Sequence, residues 1–268
     1  MCRLILVMLV VHFSPAFCSF DRLTIGAESM GLGNSLTAYP FTPYVVYYNP
    51  ANLIYHRSDN ITLNYRTFYG ISGLVQGDIT GLHNIFGTAL GWGLNYYGNE
   101  LYQEYRILLA GGWPIVETVS LGMGLSLHHL SITGYGQTSA LGLNFSVSSR
   151  LTDQIYCGAL VCNLNRPDIG KSKESLPQSL DLGLCYLTDD GFLFTLSISK
   201  ETRYKPEIRA GIGYNLLTVI ILRGGIEDRL ECFSMGFGLK LTKFRFDYAI
   251  AVHPVLDASH TLSFMVEL

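Results

Sequence analysis

Long stretches of strict two-residue alternation most limit what this chain can fold into. Val119, Leu121, Met123, Leu125 and Leu127 are large and apolar, while Ser120, Gly122, Gly124, Ser126 and His128 stand between them. A helix would scatter these residues around its circumference; a strand sends them to opposite faces. The pattern recurs from Leu141 to Val147, from Phe233 to Leu241, from Phe244 to Ile250 and from Leu262 to Leu268. The second face is mostly Gly, Ser, Ala and Asn, too small and uncharged for a well-solvated exterior. Only 15% of the 268 residues are charged, against roughly 25% in soluble domains. A secreted soluble β-sandwich or propeller is therefore the weaker reading. Apolar outside and small or polar inside describes an all-β transmembrane antiparallel β-barrel.

Turn residues divide the chain into about fourteen strands, near 59–69, 71–79, 84–97, 101–112, 117–130, 137–150, 153–163, 178–187, 191–200, 204–214, 217–227, 231–241, 243–252 and 259–268. These lengths suit tilted strands crossing a bilayer, and an even number suits a bacterial outer-membrane barrel. Both ends of the wall then lie on the periplasmic side. The longest connection, Leu164 to Pro177 with Arg166, Lys171, Lys173 and Glu174, falls outside. Tyr65, Tyr69, Trp92, Tyr96, Tyr97, Tyr102, Trp113, Tyr186 and Tyr214 sit near strand ends, where rings settle at the headgroup level. Residues 1–19 read as a signal peptide: Arg3, an apolar run from Leu4 to Val11, then Ala16-Phe17-Cys18 before the cleavage point. A lipid-modified Cys18 is the alternative, disfavoured by the bulk of Phe17. After residue 20 no apolar run is long enough for a membrane helix; Tyr214 to Leu222 is the nearest, and Arg223 ends it.

Residues 20–58 do not alternate and are expected to form an N-terminal plug or hatch within the 59–268 barrel. They carry Gly26, Ala27, Met30, Gly31 and Gly33, then Tyr48-Asn49-Pro50-Ala51-Asn52-Leu53. This Gly-Ala-x-x-Met-Gly-x-Gly element, followed by Tyr-Asn-Pro-Ala-x-Leu, resembles the N-terminus of the PorV/PorQ family within the FadL-like outer-membrane proteins. The resemblance implies a fourteen-stranded barrel with Gly26, Met30, Gly31, Gly33, Asn49, Pro50 and Ala51 in the hatch. It implies a component or accessory of protein export and surface attachment of the type IX kind, with secretion-system proteins or exported cargo as partners. The alternatives are a FadL-like channel for hydrophobic small molecules and a purely structural barrel.

Chemical motifs are sparse. Gly31-Leu32-Gly33 is too short for a dinucleotide fingerprint. His128 and His129 adjoin on a strand and point to opposite faces, so they cannot share a metal. Ser126 and His128 share a face, as any residues two apart on a strand do, which is weak support for a hydrolase. No catalytic residues, cofactor or metal are expected, and a net charge of −3 without a basic face gives no nucleic-acid partner. Cys157, Cys162, Cys185 and Cys232 are expected mainly as free thiols, with a Cys162–Cys185 bridge as the alternative. By alternation Arg66, Glu104, Arg106, Asp181, Arg209, Lys240, Arg245 and Asp247 point inward. Charges there must pair or meet water. They either brace the plug or line a substrate path, and Asp247 is close enough in strand order to pair with Lys240 or Arg245. Membrane lipid surrounds the outside.

Overall fold

The computed structural model describes residues 20–21, 24–85, 88–170, 173–228 and 232–268. The signal peptide, Cys18 and Lys171 lie outside that set. Fourteen strands close into one antiparallel barrel in sequence order: β1 (Asn60–Thr67), β2 (Val75–Ile85), β3 (Thr88–Gly98), β4 (Tyr102–Val116), β5 (Val119–Ile132), β6 (Gly136–Arg150), β7 (Ile155–Cys162), β10 (Ser179–Leu187), β11 (Phe192–Glu201), β12 (Glu207–Asn215), β13 (Ile220–Glu227), β14 (Cys232–Lys240), β15 (Phe244–Val252) and β16 (Ser259–Glu267). Two short strands, β8 (Asp168–Ile169) and β9 (Glu174–Ser175), pair separately within the loop between β7 and β10. The barrel closes where β1 meets β16, from Asn60 opposite Glu267 to Thr67 opposite His260. Closure leaves no free sheet edge, the condition for a strand backbone to sit in hydrocarbon.

Alternation sets the faces as expected. In β5 and β6 the residues Met123, Leu125, Leu141 and Leu143 are exposed, while Ser120, Ser126, Ser146 and Ser148 are buried inside. Three strands differ from the sequence expectation by four residues or more, the fourth running past 112 to Val116. The second and third are expected at 71–79 and 84–97, yet β2 runs from Val75 to Ile85 and β3 begins at Thr88. Gly70 and Gly73 take positive φ and put the turn before Val75. Gly81, read as part of a turn, lies inside β2 because the Trp92 ring covers it. A Cβ at Gly81 would come within 2.3 Å of that indole. At the β4–β5 turn the register shifts between Pro114 and Val116, where a proline withholds its ladder donor. Among the described residues no disulfide joins Cys157, Cys162, Cys185 and Cys232. Cys162 stands opposite Ser179, and Cys185 opposite Tyr156, so the wall register keeps the two apart.

Inside the wall run three short helices: α1 (Ala27–Gly31), α2 (Val45–Tyr48) and a 3-10 helix, Pro50–Tyr55. With the turns beside them they supply most of the largest fully buried side chains, Tyr44, Tyr48, Ile25, Leu32, Leu36 and Leu53 among them. Leu32, Leu36, Tyr44 and Tyr48 pack with Tyr156, Cys185 and Leu193 of the wall. Val45, Val46 and Leu53 pack with Leu82 and Leu108. Turns at the end holding Asn60 and Glu267 are short, as between β4 and β5, whereas the other end carries the long β7–β10 loop. Short turns mark the periplasmic side of such barrels.

Candidate functional site

The lumen is built by docking the N-terminal segment onto small wall residues. Gly26 (φ +83) starts α1, and a Cβ there would strike the Tyr44 ring at 2.1 Å. Ser29 Oγ donates to Ile25 O, and Ala27 N–H donates to Ser263 Oγ at 2.8 Å, which ties α1 to β16. Thr261 Oγ1 reaches Met30 Sδ at 3.4 Å. Gly31 lies against Gly236, and Gly33 (φ +57) against the backbone of Ile226. Asn49 Nδ2 donates to Thr37 O at 2.8 Å and to Val147 O at 3.1 Å, and Asn49 Oδ1 accepts from Ala51 N–H. Pro50 opens the 3-10 helix, where its missing N–H is harmless. Ala51 N–H donates to Ser146 Oγ at 3.0 Å, and Ser120 Oγ donates to Ala51 O at 2.8 Å. The Asn-Pro-Ala element is thus a connector to β5 and β6. Tyr44 and Tyr47 hydroxyls donate to Asn64 Oδ1 at 2.8 Å and Asp78 Oδ2 at 2.6 Å.

The inward charges form separate clusters. Glu28 of α1 accepts from Arg245 at 2.7 Å and Arg223 at 3.3 Å, and Asp247 bonds both arginines as well. Burial works to raise the Glu28 pKa, but Arg245 and then Arg223 outweigh it, so the carboxyl is held below its ordinary range. Arg209 pairs with Glu207 at 2.6 Å and lies 3.7 Å from Glu227. Arg203 bridges Glu201 and Asp21. Glu104 accepts the Phe20 N–H at 2.8 Å and the Tyr102 hydroxyl, and Asp181 is fully buried. Arg66 lies over the Phe68 ring at 4.4 Å, and Arg106 faces Phe20 at 6.0 Å. Of the two partners considered for Asp247, Arg245 takes it at 2.7 Å, while Lys240 lines a cavity near the short turns. Glu28, Arg223, Glu207 and Glu227 were not among the sequence candidates. Arg223 and Glu227 share the inward parity of β13, a signal that was there to be read.

Ser126 Oγ and His128 Nε2 lie 3.0 Å apart, but His128 Nδ1 is buried without a hydrogen-bond partner. A nucleophile of the Ser-His type needs that nitrogen oriented by an acid, and among the described residues no acid bonds it. Among the described residues no group of His, Cys, Asp and Glu could hold a metal ion.

Beside the segment, a cavity of about 60 Å³ opens on the long-loop side, lined by Phe20, Tyr47, Arg106, Leu108, His128 and Cys162, among others. A larger one of about 660 Å³ opens on the short-turn side beneath Glu28 and Arg245. The wall changes next to the first. The β6–β7 ladder ends at Phe145 opposite Val161, although β6 continues up to Gly136. Beyond it the amide of Asn165 stands in for a strand: Leu143 N–H donates to Asn165 Oδ1, and Asn165 Nδ2 donates to Leu141 O, both at 2.8 Å. Ile169 and Leu176 of the β8–β9 loop tuck inward onto Phe20, Leu130 and Ala140.

No protein-family profile matches the chain, and no functionally characterised sequence does. Its fold is similar to that of the Ralstonia pickettii toluene transporter TbuX, with 10% identity and a TM-score of 0.71 over 91% of this chain and 98% of that one. The Pseudomonas putida toluene transporter TodX gives 13% identity and a TM-score of 0.70 over 91% and 98%. The monoaromatic hydrocarbon channel CymD gives 12% identity and 0.69 over 93% and 99%. At such identities the likeness is one of fold. It supports the FadL-like side of the sequence resemblance and leaves the PorV/PorQ side without support. The chain is a transmembrane β-barrel of fourteen strands with the fold of these channels.

Proposed function

We propose that this protein is a bacterial outer-membrane channel for the uptake of hydrophobic small molecules. The observation that carries the reading is the end of the β6–β7 ladder beside the lumen cavity lined by Phe20, Tyr47 and Leu108. A molecule entering from the long-loop side meets a small chamber where Phe20, Tyr47 and Leu108 share the lining with Arg106, His128 and Asn144. Its straight path is filled by the N-terminal segment, while the adjacent wall beyond the ladder is held by one backbone bond, Leu164 N–H to Leu143 O, and by the Asn165 amide. Sideways passage into the bilayer is favourable for an apolar solute and unfavourable for a polar one. The toluene transporters and the monoaromatic hydrocarbon channel of the same fold agree with this substrate class. Nothing in the fold or its relatives favours protein export over uptake.

The test is transport into vesicles holding the purified barrel. Radiolabelled toluene should partition faster than into protein-free vesicles, while glucose should not enter. Asn165→Ala, which removes the amide seal, should change the toluene rate and leave glucose excluded. A toluene rate equal to that of empty vesicles, or free passage of glucose, would overturn the reading.

A further inference from the structure

The outer wall carries a furrow of about 490 Å³ that runs from the short-turn rim toward mid-barrel, between His83, Trp92, Trp113, Met123 and Leu143. Both tryptophans of the sequence border it. Each covers an outward glycine: a Cβ at Gly81 would meet the Trp92 ring at 2.3 Å, and one at Gly111 the Trp113 ring at 2.8 Å. The indoles therefore flank a trough instead of projecting from the wall, at the depth where amphipathic rings prefer to sit. At the rim the His83 ring stacks on Trp92, with planes 17° apart. Behind it Asp59 meets His83 Nδ1 at 3.3 Å and accepts the Asn84 N–H at 2.9 Å. The Asp59 side chain is 43% exposed. The Asn84 N–H, then His83, holds its carboxyl below the usual range, so it stays anionic.

We propose that this furrow is a binding site for one phospholipid of the short-turn leaflet, its acyl chain in the trough and its ethanolamine ammonium on Asp59. The occupant follows from the two ends. The trough is almost wholly apolar and opens to hydrocarbon, which only a chain can fill without stranding polar groups. The rim offers an exposed anion whose described partners are a neutral N–H and an imidazole. A primary ammonium both neutralises that charge and donates to it. A phosphatidylglycerol head brings a second negative charge, and a choline head has no N–H to give.

Native mass spectrometry of the full barrel, released from nanodiscs of equal phosphatidylethanolamine, phosphatidylglycerol and phosphatidylcholine, tests the site. One phosphatidylethanolamine should be retained, preferred about fivefold over phosphatidylglycerol, the scale of a single exposed ion pair. Asp59→Asn should erase that preference while a lipid is still retained. Met123→Trp, which fills the trough from an outward position, should abolish retention in a barrel that still migrates as folded on an unheated gel. Equal retention of all three lipids by the unaltered protein would overturn the proposal. So would an unchanged preference in Asp59→Asn, undiminished retention in Met123→Trp, or toluene displacing the lipid from the trough.

Discussion

Glu28 sits 2% exposed between two guanidinium groups, and what it contributes depends on who else serves them. Removing one partner of a buried pair costs about 3–5 kcal/mol when the other charge is stranded. Here Asp247 bonds both arginines, with Arg223 at 2.8 Å and Arg245 at 2.7 Å. Glu28→Gln should therefore cost less, about 1–3 kcal/mol, the scale of a lost charged hydrogen bond. Urea unfolding of the detergent-solubilised barrel checks this; an unchanged midpoint would show that α1 is not held by charge. The two faces of β6 give a second contrast. Leu143 faces lipid at mid-strand, so Leu143→Arg should cost about 2–4 kcal/mol. Asn144 faces inward and accepts the Asn163 N–H at 3.0 Å, so Asn144→Ala should cost about 0.5–1.5 kcal/mol, one ordinary hydrogen bond. Equal costs would mean that the faces are reversed.

At the scale of elements, the N-terminal segment is held to the wall by groups that titrate. Burial pushes His56 down to about 4, against an ordinary 6.5, so it is neutral when docked and takes a proton when released. A group with a lowered folded pKa that is neutral in the docked state stabilises fully above its free value and progressively less below it. The hold of residues 24–56 should thus be complete above about pH 6.5 and weaken toward pH 4. Glu28, held below its ordinary 4.5, adds to the loss in the same direction at lower pH. Hydrogen exchange at pH 7.5, 6 and 4.5, corrected for intrinsic rates, should show this segment losing protection while β5 and β6 keep theirs; flat protection would refute it. The wall itself was legible because alternation reports backbone orientation directly. Where it misled, at β2, a glycine serving as a seat for Trp92 looked like a turn. Parity likewise assigns Arg66, Arg106, Arg209, Arg245 and Asp247 to the inward face. It could say nothing of Glu28, whose five-residue helix has no period, whereas Arg223 carries the inward parity of β13. The family resemblance picked out Asn49, Pro50 and Ala51, but their partners Ser120, Ser146 and Val147 are some 70 to 100 residues away. No local pattern encodes that distance.

At the scale of the molecule, wall and filling are held by different forces. Every barrel strand pairs with both neighbours in a closed ring, so the wall should persist without its contents and show the heat-modifiable migration of outer-membrane barrels. The filling supplies the tyrosines, leucines and valines that occupy the centre of the lumen. The wall's own inner face is rich in Ser, Thr and Gly, which water solvates readily. Deleting residues 24–55 should therefore leave a folded barrel that conducts small hydrophilic solutes. It also frees Arg223 and Arg245 from Glu28, which favours anions in the opened lumen. Bilayer recordings should show steady conductance with chloride preferred over potassium, where the full chain shows none. Loss of the heat-modifiable form on deletion would make the segment part of the folding core, ending its role as a movable filling. A folded but still closed barrel would mean that wall side chains seal the lumen by themselves. In that case the lumen is no route for any solute, and the uptake reading fails with it.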